Sequence, residues 1–210
     1  MAAHVVYVHG LWMPGDESLI LRHRLAQQFG LLLQSFRYST LASSMNEITS
    51  RLDEFVREQR PSEVHFVGHS LGGLVIHRFL ERFPQQPMGR VVFLGTPCVA
   101  SRAAERASRF GPVFHLMGPS VQEELLRPHA RRWTQGRALG IVAGSQPIGV
   151  GQLLAGFNEE NDGTVAVSET RMPGAADHLV LPVSHLGLLL SARVAQETGL
   201  FLTQGRFSLR

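Results

Sequence analysis

The strongest constraint on this chain sits at residues 64–76. An apolar run, Val64-His65-Phe66-Val67, leads without a spacer into Gly68-His69-Ser70-Leu71-Gly72-Gly73, and an apolar-faced helical stretch starts at once. A strand that becomes a helix with no loop between must send the helix back along the strand it came from. Backbones pass that closely only where a Cβ is missing, which explains the glycines on both sides of Ser70. A strand with a helix directly behind it is also the first half of a βαβ unit, so the motif asks for a parallel sheet covered by helices.

The rest of the chain has the same rhythm. Short apolar runs read as strands near 5–9, 32–36, 64–68, 90–94, 139–143 and 178–181, several of them apolar on both faces. Longer amphipathic stretches read as helices at 18–29, 45–58, 71–82, 100–109, 121–126 and 185–201. In the second, Met45, Ile48, Leu52, Phe55 and Val56 share one face; Pro61 ends it, and Pro84 ends the third. No repeat or low-complexity linker divides the 210 residues. The expectation is one domain, 1–210, built as an α/β three-layer sandwich: about six mostly parallel strands with helices on both faces. Residues 144–163, rich in glycine, asparagine and acids, read as a long loop of the kind that carries function.

Composition narrows the chemistry. With 44% hydrophobic and 18% charged residues the chain can bury a core, yet no apolar run approaches the ~20 residues of a membrane span. Cys98 is the single cysteine, which excludes a disulfide framework and a multi-cysteine metal site. All 20 basic residues are arginine. Without lysine there is no Schiff base, no Ser-Lys dyad and no Walker-type phosphate loop. The pI near 9.9 accompanies a formal net charge of only +3. The densest arginines, Arg127, Arg131, Arg132 and Arg137, read as a solvated face, so no nucleic-acid partner is expected. Met1-Ala2-Ala3-His4 shows no basic segment followed by an apolar stretch, so no secretory signal is expected, and a cytoplasmic location follows.

Gly68-His69-Ser70-Leu71-Gly72 has the G-x-S-x-G pattern of a nucleophile elbow. With 21 glycines and 16 serines a bare match means little, and the strand and helix around it decide. A serine hydroxyl needs an imidazole to take its proton and an acid to hold that imidazole. Among ten histidines, His185 in Pro182-Val183-Ser184-His185-Leu186-Gly187 is the best base. It follows the last strand, at the sheet edge where such folds bind ligands. The plainer reading is a polar residue that opens a helix. His178 reads as structural, within a strand. His69 adjoins the serine but reads as pointing away from it, and His115 and His129 lie in the region before residue 137. For the acid, Asp162 in Asn161-Asp162-Gly163-Thr164-Val165 is best, with Glu159 or Glu160 as substitutes and a plain turn aspartate as the alternative. His9-Gly10-Leu11 ends the first strand. The Leu11 N–H, with that of Leu71, forms a candidate oxyanion hole worth ~2.7–4 kcal/mol per donor.

Val8-His9-Gly10-Leu11, Gly68–Gly73, Asn161–Val165 and Val183-Ser184-His185-Leu186-Gly187-Leu188-Leu189 together resemble the α/β-hydrolase superfamily, and within it compact bacterial serine esterases and lipases. The likeness runs from residue 4 to about residue 202, with 102–137 contributing little. It implies Ser70 as nucleophile, Asp162 as acid, His185 as base, Leu11 and Leu71 as oxyanion donors, and no cofactor. Two departures stand out. The chain opens on the His-Gly strand, without the two edge strands that larger members place first. Cys98 follows Gly95-Thr96-Pro97 where many relatives carry histidine.

The expected reaction is hydrolysis of a small-molecule or lipid ester through an acyl-enzyme on Ser70. An acyltransferase or thioesterase would use the same triad, and a non-catalytic scaffold is the remaining alternative. No metal is expected, since no His, Asp and Glu cluster has ligand spacing. Trp12, Met13, Phe114, Met117, Leu154, Phe157 and Leu186 are candidates for the acyl pocket, each of which also fits plain core. Residues 100–137, apolar but broken by glycine and proline, read either as a partial lid over the site or as an excursion packed on the sheet edge.

Overall fold

The computed structural model describes residues 4–99, 118, 124, 131–148 and 158–208. The helices expected at 100–109 and 121–126 and most of the cover expected at 100–137 lie outside the described residues. The strands are β1 (His4–Val8), β2 (Leu32–Phe36), β3 (Val64–His69), β4 (Val91–Leu94), β5 (Leu139–Gly144) and β6 (Asp177–Leu181). They form one sheet in the order β2-β1-β3-β4-β5-β6, and every pairing is parallel. The helices are α1 (Leu19–Phe29), α2 (Met45–Gln59), α3 (Leu71–Arg82), α4 (Gly187–Leu190) and α5 (Ala192–Gln204).

The strand order sets the layers. From β1 the chain steps outward to β2, then returns past β1 to β3. Right-handed crossovers in opposite directions put their helices on opposite faces. So α1 packs with α5 on one face, and α2 packs with α3 on the other. Strand residues alternate between the two. Val6, Val8, Phe66, Phe93 and Ile141 join the core beneath α2 and α3, whereas Val5, Tyr7, Val67, Val92 and Val142 join the core beneath α1 and α5. Edge strands need less apolar cover, and Leu32 on β2 and Val180 on β6 are accordingly exposed. The crossovers from β1 and β3 part to opposite faces, and the C-terminal ends of strands at such a switch point are where open α/β sheets bind ligands.

Local signals fix the helix ends. Ser44 and Glu47 form a reciprocal capping box at the start of α2. Its end, Arg60, turns left-handed (φ 45°) immediately before Pro61. The single helix expected over 185–201 is two. Ser191 takes an extended backbone (ψ 130°), and its hydroxyl accepts the Val194 N–H at 3.4 Å, capping α5 as α4 ends. Among the described residues no helix is long and apolar enough to cross a membrane.

Leu52 is fully buried on the sheet-facing side of α2. Leu52→Ala should cost about 2–5 kcal/mol, read as a lower midpoint in urea or thermal unfolding. A loss below about 0.5 kcal/mol, typical of an exposed site, would contradict the packing of α2 on the sheet.

Candidate active site

Ser70 stands at the junction of β3 and α3 with φ 54° and ψ −124°. That conformation is costly for a residue with a Cβ, about 1–3 kcal/mol, and persists only where the surroundings enforce it. The Ser70 N–H donates to the Leu94 carbonyl at 2.9 Å, and the Ser70 carbonyl accepts the Gly73 N–H at 3.1 Å. The glycines do what their positions suggest. A Cβ on Gly68 would fall 2.6 Å from the Gly73 backbone, and one on Gly72 would fall 2.0 Å from the Val8 carbonyl oxygen. On Gly73 it would fall 2.1 Å from Thr96 Oγ1, and on Gly10 3.0 Å from Ser70 Cβ. The serine is half-buried.

The candidate acid and base meet from the other half of the sheet. Asp162 is almost wholly buried, and its Oδ2 lies 2.7 Å from His185 Nδ1. Its other oxygen accepts the N–H groups of Thr164 (2.9 Å) and Val165 (2.7 Å). The carboxylate is therefore fixed by its own turn, which Gly163 closes with φ 92°. The His185 N–H donates to the Asp162 carbonyl at 2.8 Å, so main chain and side chain bind the same partner. Gly95 lies beneath the pair: a Cβ there would stand 3.0 Å from Asp162 Oδ2 and 3.1 Å from His185 Nδ1. Glu160 is exposed, and Asp177 accepts the Phe207 N–H at 3.1 Å. Neither is a partner of His185 among the described contacts.

His69, expected to point away from the serine, is fully buried, and its ring lies 4.6 Å from that of His185. Among the described residues no hydrogen bond joins Ser70 Oγ to His185. Ser70 and His185 are instead linked through His69, whose Nε2 is 3.0 Å from the His185 carbonyl oxygen.

The loop after β1 is built around His9. The Tyr38 N–H donates to His9 Nε2 at 3.3 Å, so that nitrogen carries the lone pair and Nδ1–H donates to the Gly10 carbonyl at 2.9 Å. Tyr38 stacks on the ring at 4.2 Å, and its hydroxyl donates to the His9 carbonyl at 2.8 Å. Burial lowers the His9 pKa and keeps the ring neutral. Among the described residues no peptide is cis, so fixing the Gly10 carbonyl toward His9 turns the Leu11 N–H the opposite way. Further along the loop, Glu17 accepts the Tyr7 hydroxyl at 2.9 Å and the Gly15 N–H at 2.8 Å. Leu71 is the first residue of α3, where N–H groups lack intrahelical acceptors.

No family model matches the chain, and no curated protein does. Solved structures do. The mature lipase BlEst2 of Bacillus licheniformis superposes with a TM-score of 0.70 at 18% identity, over 98% of this chain and 93% of that one. Phospholipase PlaB of Legionella pneumophila gives 0.68 at 16% identity, over 95% of this chain and 55% of that one, so the chain spans about half its length. The RedJ thioesterase of Streptomyces coelicolor gives 0.63 at 12% identity, over 94% and 89%. The chain has the α/β-hydrolase fold.

Within that fold, the candidate pocket residues divide. Trp12 and Leu186 are 59% and 55% exposed, so they are surface residues and not core. Trp12 also holds a left-handed backbone, φ 59°, directly after Leu11. Met13 is half-buried. Phe114, Met117, Leu154 and Phe157 lie outside the described residues. Among the described residues, no group of three or more His, Cys, Asp or Glu side chains is arranged to hold a metal ion. The sequence offered no signal for the hydrogen bonds of the His69, His9 and Tyr38 side chains, because their hydrogen-bond partners are main-chain atoms.

Cys98, after the Gly-Thr-Pro turn, is fully buried. Burial pushes its thiol up to about 12, against the weaker opposing pull of the Arg131 charge. A thiol so placed is not a nucleophile near neutral pH. The folded protein should therefore resist iodoacetamide at pH 8 and react only after denaturation. Labelling of the native protein at the rate of free cysteine would show that Cys98 is accessible and ionised.

Proposed function

We propose that this protein is a serine hydrolase that cleaves carboxylic esters through an acyl-enzyme on Ser70. The observation that carries the reading is the 2.7 Å contact between Asp162 and His185, set behind a strained serine at a strand–helix junction. In this reaction Ser70 Oγ attacks the ester carbonyl as its proton passes to His185 Nε2. Asp162 holds Nδ1–H, fixes the tautomer and stabilises the imidazolium. The oxyanion is held by the N–H groups of Leu11 and Leu71. As the tetrahedral intermediate collapses, His185 gives its proton to the leaving alcohol. A water then repeats the cycle on the acyl-enzyme. The Ser70–His185 hydrogen bond forms as substrate closes the site, as such bonds commonly tighten in the reacting complex.

The substrate is a small-molecule or lipid ester. A lipase, a phospholipase and a thioesterase are among the structural neighbours, which supports acyl-bond hydrolysis and leaves oxygen and sulfur esters in the same class. Exposed apolar side chains beside the oxyanion donor and the base, Trp12 and Leu186, suit an apolar acyl group.

The test is a panel of p-nitrophenyl esters from acetate to palmitate, with one acyl thioester alongside. Ser70→Ala should abolish turnover and labelling by a fluorophosphonate. Asp162→Asn should reduce kcat by up to ~10⁴-fold by favouring the wrong tautomer, while Glu160→Gln stays near wild type. Chelators should have no effect. Activity that survives Ser70→Ala, or that vanishes on chelation and returns with one divalent ion, would overturn the mechanism.

A further inference from the structure

We infer that His69 is a positioning residue whose Nε2–H ties the main-chain carbonyl of His185 to the nucleophile turn. This rests on the reading of His185 as the base. The His69 ring is fully buried, and its Nε2 lies 3.0 Å from the His185 carbonyl oxygen. A carbonyl only accepts, so the proton of the neutral ring is on Nε2. That leaves Nδ1 as a lone-pair nitrogen, buried and without a hydrogen-bond partner. It faces the Gly10 backbone: a Cβ built on Gly10 would be 3.3 Å from it.

The tie completes a set of anchors on the base. The N–H of His185 donates to the Asp162 carbonyl, and Nδ1 bonds the Asp162 carboxylate. With His69 on the carbonyl, every polar atom of His185 except Nε2 is occupied. Two of these anchors come from the acid turn. The third is the only one that comes from β3, one residue before Ser70. Asp162 alone would orient the ring relative to its own loop. His69 registers that loop against the serine, a contact between residues 116 apart in the chain.

The choice of imidazole follows from the same geometry. The tether must span from β3 to the base loop, donate one hydrogen bond, and stay neutral when its neighbour becomes charged. A second proton on His69 would sit on Nδ1, where no acceptor exists. Burial, and then the nearby His185 and His9 rings, hold its pKa well below the ordinary value. His69 therefore does not compete with His185 for the serine proton.

The experiment compares His69→Gln with His69→Met. Glutamine carries an N–H donor at the same reach as Nε2, and methionine has similar length without one. With the ester panel, His69→Met should lower kcat about 10- to 100-fold with KM within about twofold, the cost of a slightly misplaced catalytic group. His69→Gln should recover most of that loss at equal thermal stability. Equal kcat for the two variants, whether both low or both near wild type, would overturn the inference. Imidazole ¹⁵N NMR of the wild-type protein provides a readout without any variant. His69 should show the Nε2–H tautomer, and the opposite tautomer would refute the tie. Wild-type protein that neither hydrolyses the esters nor reacts with fluorophosphonate refutes the hydrolase reading instead, and the NMR result still decides the hydrogen bond.

Discussion

The structure depends on one steric fact: α3 begins in contact with the ends of β1 and β3. The Gly72 position lies against the Val8 carbonyl, Gly68 against Gly73, and Gly73 against Thr96. No side chain fits at any of these places. The close passage holds Ser70 in a backbone region that serine avoids, and it draws the loop after β1 over the turn. The geometries of the candidate nucleophile and of the candidate oxyanion donors are thus one constraint. A larger residue at 72 would move the helix start and the Gly10–Leu11 peptide apart together.

A second dependence runs across the sheet. Ser70 and Leu11 come from the ends of β3 and β1, at the switch between crossovers, whereas Asp162 and His185 come from the turns around β5 and β6. In the proposed reaction four elements must agree to place one proton-transfer path. The glycines at 95 and 144 permit this, since a Cβ on Gly144 would stand 2.7 Å from Asp162 Cβ and 2.4 Å from the Val183 carbonyl oxygen. The Asp162 turn is self-contained, with its carboxylate held by the N–H groups that follow it. The loop that carries His185 is braced from within through Ser184, whose hydroxyl accepts the Gly187 N–H at 3.2 Å and whose carbonyl accepts the Leu188 N–H at 3.0 Å, and His69 adds its tie to β3, two strands beyond β5 in the sheet.

What the sequence made legible follows the range of the physics. The bounds of α3, Leu71–Arg82, match the reading from residues alone, because glycine, serine and proline act locally and strongly there. The turn at Asp162 was readable because the side chains of Asn-Asp-Gly bond their own backbone. The break at Ser191 was not, because Leu188, Leu189, Val194, Ala195 and Phe201 keep an apolar face across it. A serine cap competing with helical continuation leaves no mark in that pattern. The hydrogen bond of His69 was not legible for another reason. Its partner is a backbone carbonyl, which every residue carries, so no residue type elsewhere in the chain points to it.

Three imidazoles lie within this small volume, and their surroundings assign them different work. His9 spends both nitrogens on backbone groups, one as donor and one as acceptor, so it has no place for a second proton. His69 spends its single N–H on the His185 carbonyl, and its other nitrogen faces a backbone with nothing to accept from it. A positive charge on either ring would be buried, and burial is the largest influence on both, outweighing the pull of Glu17 on His9. Only His185 has a carboxylate in contact. In the proposed reaction the proton leaving Ser70 therefore has one destination, selected less by the intrinsic basicity of histidine than by which of three buried rings has an acid beside it.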